Sequence, residues 1–422
     1  MKKALSVLMF FLCGVMTALY GARPAFGRAQ SAQKQKQPKR TVQMANVKAT
    51  IVNDQLWVYT DVKGKITLGV KEGLTEEEWI KWEEKHDKLV GIYSKYHTHW
   101  NTRSRPLVDS ERKLWSASAI KPLRDSEIVI PAKLGGRKVT SIGPYAFLGC
   151  FLGTPSTPNH VIIPNGVESI EAHAFDNYGR FGFPSITIPA SVKVIKRGAF
   201  VGPVKSITVD PQNPNFKVVN GILYSTDGKR LIKLSMDGIE DCINIPQGVV
   251  SIDDYALGGL KIIKIPPSVK NIGQGAFSAT VIELDNPNYK LVDGILYSKD
   301  GKRLITAQDT VMNKNSNLVI PEGVISIEGD ALWLNGSGRT VTIPASVKKI
   351  GKTAFGLLDG TIIFKGPPPT AEDIVEFNLI KTPAKGYYPS RYKKEWEAAI
   401  QAKKWPNEDR PLWGGLIMEM RD

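Results

Sequence analysis

The chain has 422 residues, of which 42 % are hydrophobic, and a formal net charge of +15. This is enough apolar content for a large core, built either as a few globular domains or as one elongated repeat array. The positive charge is concentrated in residues 1–27, 28–46 and 381–405, so the remaining body is almost neutral. We therefore expect no specific nucleic-acid-binding face on that body.

Residues 1–27 have the pattern of a secretory signal peptide. Lys2 and Lys3 precede an apolar run from residue 4 to 20, and small residues suitable for cleavage follow, with the cut expected after Gly27 or Ala29. An uncleaved membrane anchor is the alternative interpretation. No other apolar run approaches the roughly 20 residues needed to span a bilayer. The sequence thus predicts an exported protein, secreted or held at the cell envelope or surface, without a transmembrane segment after signal removal.

Residues 28–46 form a basic, polar stretch without aromatic residues, and we expect it to be a disordered linker. It would hold the body away from a surface. A weak contact with anionic glycans or lipid head groups is the alternative role.

Residues 47–115 do not follow the repeat described next, and they predict a small α+β region that caps the array. Two strand-like runs occur at residues 48–61 and 65–70, with a turn signal at Asn53-Asp54. Thr75 and Glu78 form a capping box for a helix reaching about residue 93. One face of that helix is apolar and would pack on the neighbouring strands.

A strict repeat occupies residues 120–366. Six prolines are each followed by Val at +3, Ile at +6, Ala at +10, and Phe or Leu at +11; they are Pro164, Pro189, Pro246, Pro266, Pro321 and Pro344. A seventh copy, starting at Pro131, carries five extra residues. Fixed spacing of this kind is typical of solenoid proteins, in which each unit buries its apolar face only against its neighbours.

Each unit begins with an I-x-I strand or a close variant, such as Ile263-Lys264-Ile265. Alternation in a strand directs the two outer residues inward and the middle residue outward. The proline that follows most copies ends the strand, because it lacks a ladder donor. The pattern therefore predicts a mainly β protein, a parallel β solenoid with continuous inward ladders of Ile, Val and Phe.

Two units carry nearly identical insertions at residues 213–232 and 286–305. In each, ILYS and KRLI are joined by Asp227-Gly228 or Asp300-Gly301, which is a hairpin signal. We expect two β-hairpins that project from the same edge of the solenoid.

Residues 367–422 predict a C-terminal cap. The run of prolines at 367–369 stops the array, and Ser390 is a plausible N-cap for a helix over about 390–403. Tyr392, Trp396, Ala399 and Ile400 share one face of that helix.

The string I-x-I-P-x-x-V-x-x-I-x-x-x-A-F, the AFLGC at 146–150 and the NGILYS and DGKRLI inserts resemble the BspA-like, treponemal-type leucine-rich repeats of bacterial surface and secreted proteins. The resemblance covers about residues 120–400, and it implies a solenoid of leucine-rich-repeat type with a protein-binding or adhesive role. Most copies here lack the Cys that follows Ala-Phe, and the N-terminal region matches no family pattern.

No motif indicates catalysis, because GxSxG, HExxH and Walker sequences are all missing from the sequence. We therefore expect no enzyme, no cofactor and no metal. His97 and His99 lack a third ligand at a useful spacing. His173 occupies a variable repeat position and is expected to be exposed. Cys150 and Cys242 are several units apart, beyond the roughly 7 Å Cα limit for a disulfide, so both are predicted to be free and at least partly buried.

The outward residues of the I-x-I strands are the candidate partner-binding surface, since solenoids use extended faces to bind partners. The candidate residues are Thr187, Thr208, Asn244, Lys264, Glu283 and Thr342, and apolar members of the same ladder lie at both ends: Val129, Ile162, Val319 and Ile363. The alternative interpretation is that these outward residues are merely exposed to solvent and bind no partner.

Two functions follow as hypotheses. The first is a non-enzymatic adhesion or protein-binding scaffold whose ligand is another protein, such as a host matrix or cell-surface component. The second is a structural or glycan-associated envelope protein held by its basic tails.

Overall fold

The computed structural model describes residues 127–144, 146–147, 160–176, 184–238, 241–308, 317–332, 336–356, 358–371, 384–402, 412–413 and 416–422, together with five strands between residues 47 and 114. The signal peptide, the basic linker, His97, His99 and Cys150 lie outside these residues. Almost all of the regular structure is β, and the pairing of successive coils is parallel.

The I-x-I strands form three parallel sheets. The first contains Glu127–Val129, His160–Ile162, Ser185–Ile188 and Ile207–Val209. The second contains Cys242–Asn244, Leu260–Ile265 and Ala279–Leu284. The third contains Asn317–Val319, Gly336–Ile343, Leu358–Phe364, Lys385–Tyr388 and Leu416–Met420, with Leu412–Trp413 added antiparallel at its end. The outer Ile residues of each strand are buried, as in Ile263 and Ile265.

The +6 Ile positions lie on short strands that form the opposite face of the solenoid. These strands are Arg137–Ile142, Ser169–Ile170 and Val194–Ile195, then Ser251–Ile252 and Asn271–Ile272, then Ser326–Ile327, Lys349–Ile350 and Thr370–Ala371. Lys133–Leu134 folds back on the first of them. The Ala-Phe pairs complete the coil, and Phe175–Asp176 pairs with Phe200–Val201. Phe147, Phe175 and Phe200 stack with centroids 5.0 and 5.4 Å apart. The parallel solenoid predicted from the repeat is thus confirmed.

The two insertions form three-stranded antiparallel meanders. Meander 1 consists of Phe216–Val219, Ile222–Ser225 and Arg230–Leu234, and meander 2 of Tyr289–Val292, Ile295–Ser298 and Arg303–Ala307. The last strand of each pairs in parallel with the next coil, at Ser251–Ile252 or Ser326–Ile327. A short 3-10 helix, Met236–Gly238, follows meander 1.

The prediction that these hairpins project from the solenoid is wrong, because the second and third strands of each meander are buried on both faces. In meander 1, Leu223 and Ile232 pack in the core of residues 128–207, while Ile222, Tyr224, Leu231 and Leu234 pack in the next core. Meander 2 divides its residues in the same way: Leu296 and Ile305 belong to the middle core, and Ile295, Tyr297 and Leu304 to the last. Each meander is a wall shared by two hydrophobic cores.

In the N-terminal region, Val47–Val52, Gln55–Val62 and Lys65–Leu68 form an antiparallel sheet. Lys65–Leu68 also pairs in parallel with Arg137–Ile142, which joins this sheet to the first coils. Leu74–Thr75 is a strand paired with Lys113–Leu114. The helix predicted to follow Thr75 lies outside the described residues.

At the C-terminal end, an α-helix spans Lys393–Ala402 after a 3-10 turn at Ser390–Tyr392. Ser390 does not act as a side-chain cap; it lies inside the 3-10 turn, and its backbone N–H donates to Asp422 Oδ1 at 2.9 Å. Trp396 is fully buried and contacts Phe364, Tyr388 and Trp413, and its Nε1 donates to the Gly366 carbonyl at 3.0 Å. The helix thereby covers the end of the last core.

Candidate functional site

The outward residues of the I-x-I strands lie side by side in three rows, because the strands pair in register. The first row contains Val129, Ile162, Thr187 and Thr208. The second contains Asn244, Lys264 and Glu283. The third contains Val319, Thr342 and Ile363. The structure therefore places the six candidate residues in three separate groups, two in the first row, three in the second and Thr342 alone in the third.

The rows are interrupted where the meanders enter the chain. Among the residues that the structure describes, no ladder hydrogen bonds join Ile207–Val209 to Cys242–Asn244, or Ala279–Leu284 to Asn317–Val319. A meander adds three strands to the opposite face, whereas the I-x-I face gains only one strand over the same stretch. The sequence repeat alone does not reveal this imbalance.

The first row presents hydroxyl groups. The Oγ1 atoms of Thr187 and Thr208 are 2.8 Å apart, and Thr187 Oγ1 also lies 3.0 Å from His160 Nε2. The row thus offers hydrogen-bond donors and acceptors that are already ordered by one another.

The second row presents paired charges. Lys264 Nζ lies 3.0 Å from Glu283 Oε2, with both side chains about half exposed at 48 %. The hydrogen bond with Glu283 raises the pKa of Lys264. A second exposed pair, Lys261 with Asp241 at 2.6 Å, lies at the start of the same two strands. This part of the surface is therefore charged but balanced.

The third row mixes apolar, aromatic and polar residues and extends further than the sequence predicted. Val319 is 66 % exposed. Beyond Ile363 the row continues with Tyr387 and Glu419, because Lys385–Tyr388 and Leu416–Met420 extend the sheet. The guanidinium of Arg421 lies 5.1 Å from the centre of the Tyr387 ring. The missed strand at 385–388 does not have the I-x-I pattern, although Gly386 and Tyr388 alternate inward as Ile residues do elsewhere.

His173 is half-buried and not exposed, so that expectation is wrong. Its position has a left-handed backbone in every described copy, including Tyr255, Asp330 and Thr353. His173 Nδ1 lies 3.0 Å from Asp176 Oδ2. The residue therefore belongs to a turn that the fold requires.

The same turn position holds a polar network in the later coils. The Tyr255 hydroxyl donates to Asp330 Oδ2 at 3.0 Å, and Thr353 Oγ1 donates to Asp330 Oδ1 at 2.6 Å. Burial raises the pKa of Asp330, against the opposing effect of these hydrogen bonds. These side chains come from three different coils, so their hydrogen bonds hold the coils together.

Cys242 is free and partly buried, as predicted. Within the described ranges, no group of three or more His, Cys, Asp or Glu side chains could hold a metal ion. No helix in the same part of the chain is long and apolar enough to cross a membrane.

The repeats, the parallel pairing and the inward Ile, Val and Phe ladders define a solenoid repeat protein. The sequence profile described as a BspA type leucine rich repeat region matches six copies here, over residues 126–226, 238–290 and 310–360. The chain therefore belongs to the proteins with BspA-type leucine-rich repeats, which confirms the resemblance noted from the motifs.

Several solved structures resemble this chain distantly. A leucine rich cell surface protein from Faecalibacterium prausnitzii is 15 % identical, with a TM-score of 0.29, covering 76 % of this chain and 95 % of its own. The pneumococcal vaccine antigen PcpA is 14 % identical, with a TM-score of 0.27, over 88 % and 98 %. A leucine-rich repeat protein from Eubacterium ventriosum is 16 % identical, with a TM-score of 0.25, over 72 % and 86 %. No curated protein matches this chain.

Proposed function

We propose that the protein is an exported, non-enzymatic scaffold that binds another protein through the three outward rows. The observation that carries this proposal is the contrast between the two sides of each strand. The inward residues repeat from coil to coil, mostly as Ile or Val. The outward residues vary: they are Val, Ile and Thr in the first row, Asn, Lys and Glu in the second, and Val, Thr, Ile, Tyr and Glu in the third. Repetition inside explains the scaffold, so the variable exterior is the part free to recognise a partner.

The composition of the rows supports a protein ligand. Exposed apolar and aromatic groups in the third row and ordered hydroxyl groups in the first suit a polar, hydrogen-bonded interface with an apolar patch. Family membership agrees with a protein-binding scaffold. A host matrix or cell-surface component is the partner class that we propose.

The test replaces Thr208, Asn244, Lys264 and Glu283 together by Ala and measures retention on an immobilised extracellular-matrix extract. Removing Lys264 and Glu283 together avoids leaving one charge unpaired. We expect retention to fall about tenfold, equivalent to about 1.4 kcal/mol. The matched control changes four exposed residues of the opposite face to Ala, namely Lys196, Lys270, Asn271 and Lys349. Equal retention by the two variants would contradict the proposal.

The alternative function, attachment to anionic glycans through the basic tails, predicts a different result. Retention would then disappear at about 0.5 M salt, and also in a chain that starts at Val47. The four substitutions in the rows would have no effect. Salt dependence and the quadruple variant together therefore separate the two functions.

A further inference from the structure

The first interruption of the rows contains a groove next to an open strand edge. The groove has a volume of about 390 Å³ and lies between meander 1 and the coil that begins with Cys242–Asn244. One wall is formed by Val219, Ile222 and Tyr224 of the meander. The other wall is formed by Cys242–Asn244 and the following turn to Val249.

Alternate residues of the strand Cys242–Asn244 direct their backbone N–H and C=O groups into this groove. Ile262 N–H donates to the Asp241 carbonyl, and Ile245 N–H donates to the Lys264 carbonyl. Residues 241, 243 and 245 therefore bond to the next strand. In a parallel pair the residues between them point their N–H and C=O groups the other way, so Cys242 and Asn244 direct theirs to the groove. Within the part of the chain described, no residue bonds to these groups.

The groove wall is apolar where the meander faces the open edge. Val219 is 47 % exposed, although Ile222 and Tyr224 beside it are buried. Lys217 and Asp227 lie at one end of the groove, and Lys217 helps lower the pKa of Asp227, after larger contributions from Ser225 and Lys229. The rim is therefore close to neutral, which suits a segment of alternating apolar and uncharged polar side chains.

We propose that this groove binds an extended polypeptide segment of a partner protein, which pairs with Cys242–Asn244 as an added strand. A strand edge offers donors and acceptors at the spacing of a peptide backbone, and unpaired edges are templates for another chain. Side chains on the inner side of the added strand would contact Val219 and Val249. Those on the outer side would lie between the first and second rows.

The second junction repeats the main elements. Ile320 N–H donates to the Thr342 carbonyl, so Asn317 and Val319 direct their backbone groups away from the sheet. Val292 of meander 2 matches Val219 and is 45 % exposed, and Val319 is also exposed. Because both meanders have an exposed valine at the same position, we infer that an open strand edge is a regular feature of both junctions.

This strand-addition site goes beyond the proposed function of the rows, because it uses backbone groups where the rows use side chains. Asn244 contributes its side chain to the second row and its backbone to the groove. The two proposals can therefore fail separately. The quadruple Ala variant leaves every backbone donor and acceptor in place.

The test selects linear peptides of about seven residues, without proline, from a displayed library against the full chain. A selected peptide is then made in two forms, with N-methyl groups on alternate amides of one edge or of the other. We expect methylation of one edge to weaken binding at least tenfold and methylation of the other edge to leave it unchanged. Amide hydrogen exchange should slow at Cys242 and Asn244 when the unmodified peptide binds.

Two variants locate the site. Val219→Asp should reduce peptide binding about tenfold. Val194→Asp changes a valine of similar exposure, 42 % against 47 %, in the strand Val194–Ile195 and should not reduce it. The proposal is overturned if no selected peptide is sensitive to Val219→Asp, or if both methylated forms bind equally. It is also overturned if hydrogen exchange slows only outside residues 217–249.

Discussion

The two meanders have nearly the same sequence and the same two-sided packing, but they are fixed to the following coil differently. In meander 1, Arg230 Nε lies 2.9 and 3.1 Å from the two carboxylate oxygens of Asp253, which is 1 % exposed. In meander 2, the equivalent Arg303 lies 3.0 Å from Glu328, and that pair is partly exposed. The scaffold is thus repeated, whereas the electrostatic anchor is not.

A second difference lies three residues further along each strand. Lys233 is buried in meander 1, where Nζ donates to the Tyr255 carbonyl at 2.5 Å, and meander 2 has Thr306 at this place. Burial lowers the pKa of Lys233 to about 7. The first junction therefore has a buried aspartate and a buried lysine where the second has a partly exposed glutamate and a threonine, which makes the two junctions a natural internal comparison.

The largest expected effect comes from Asp253→Ala. The change removes the carboxylate that Arg230 and Arg197 share, and Arg230 is only 27 % exposed. We therefore expect a loss of stability at the upper end of the range for hydrogen bonds between charged groups, about 3 kcal/mol. Glu328→Ala is the matched control and should cost less than about 1 kcal/mol, because solvent screens a partly exposed pair. Chemical denaturation of both variants measures this. Similar losses would mean that burial does not distinguish the two anchors.

Lys233 should make stability depend on pH. Its folded-state pKa of about 7 lies below the ordinary value of 10.5, so between these values the unfolded chain binds a proton that the folded chain does not. This contribution to stability rises with pH from about 7 towards 10.5, by up to about 1.4 kcal/mol per pH unit, and is constant below 7. Denaturation between pH 7 and 9.5 measures it.

Lys233→Thr introduces the residue of meander 2 and should flatten this pH dependence. It should also raise stability at pH 7, because no ammonium group then has to lose its proton. Thr306→Val serves as the control at the equivalent place and should leave the slope unchanged. A wild-type slope in Lys233→Thr would show that another group is responsible.

A feature shared by the two junctions should give equal effects. Asn213 Nδ2 donates to the carbonyls of Pro189 and Val192, and Asn286 Nδ2 donates to those of Pro266 and Val269. Each side chain is buried and also accepts, through Oδ1, from the backbone N–H groups of Asn215 and Phe216 or of Asn288. Asn213→Ala and Asn286→Ala should therefore each cost about 1–3 kcal/mol through the loss of these bonds. Asn215→Ala, at a half-buried site with one such bond, should cost less. Unequal losses would contradict the view that the scaffolds are equivalent.

The sequence predicts the solenoid because its inward residues obey one spacing in every copy. It predicts poorly where a segment serves two neighbours at once. ILYS has three successive buried residues, Ile222, Leu223 and Tyr224, and simple alternation gives no reason for both faces to be covered. The first meander strand was also missed, although Asn220-Gly221 between Val219 and Ile222 is a strong signal for a two-residue hairpin turn; both residues have positive φ.

The candidate site was also predictable only in part, because alternation along a strand shows which residues point outward but not which strands are neighbours. Alternation correctly places Lys264 beside Glu283 on the outside, since both lie in uninterrupted coils. It does not show that Thr208 and Asn244 belong to different rows, because that depends on the strands the meander adds to the other face. Tyr387 was missed because its strand lacks the repeat pattern.

The central claim is that each meander is a wall between two cores, and two neighbouring leucines test it most directly. Leu223 and Leu231 lie on adjacent strands of meander 1 and are both fully buried, but Leu223 packs in the first core and Leu231 in the middle core. Each change to Ala should cost about 2–5 kcal/mol. Native-state hydrogen exchange should then accelerate mainly in the strands of residues 160–209 for Leu223→Ala, and in those of residues 242–284 for Leu231→Ala. The same pattern of acceleration in both variants would contradict the account.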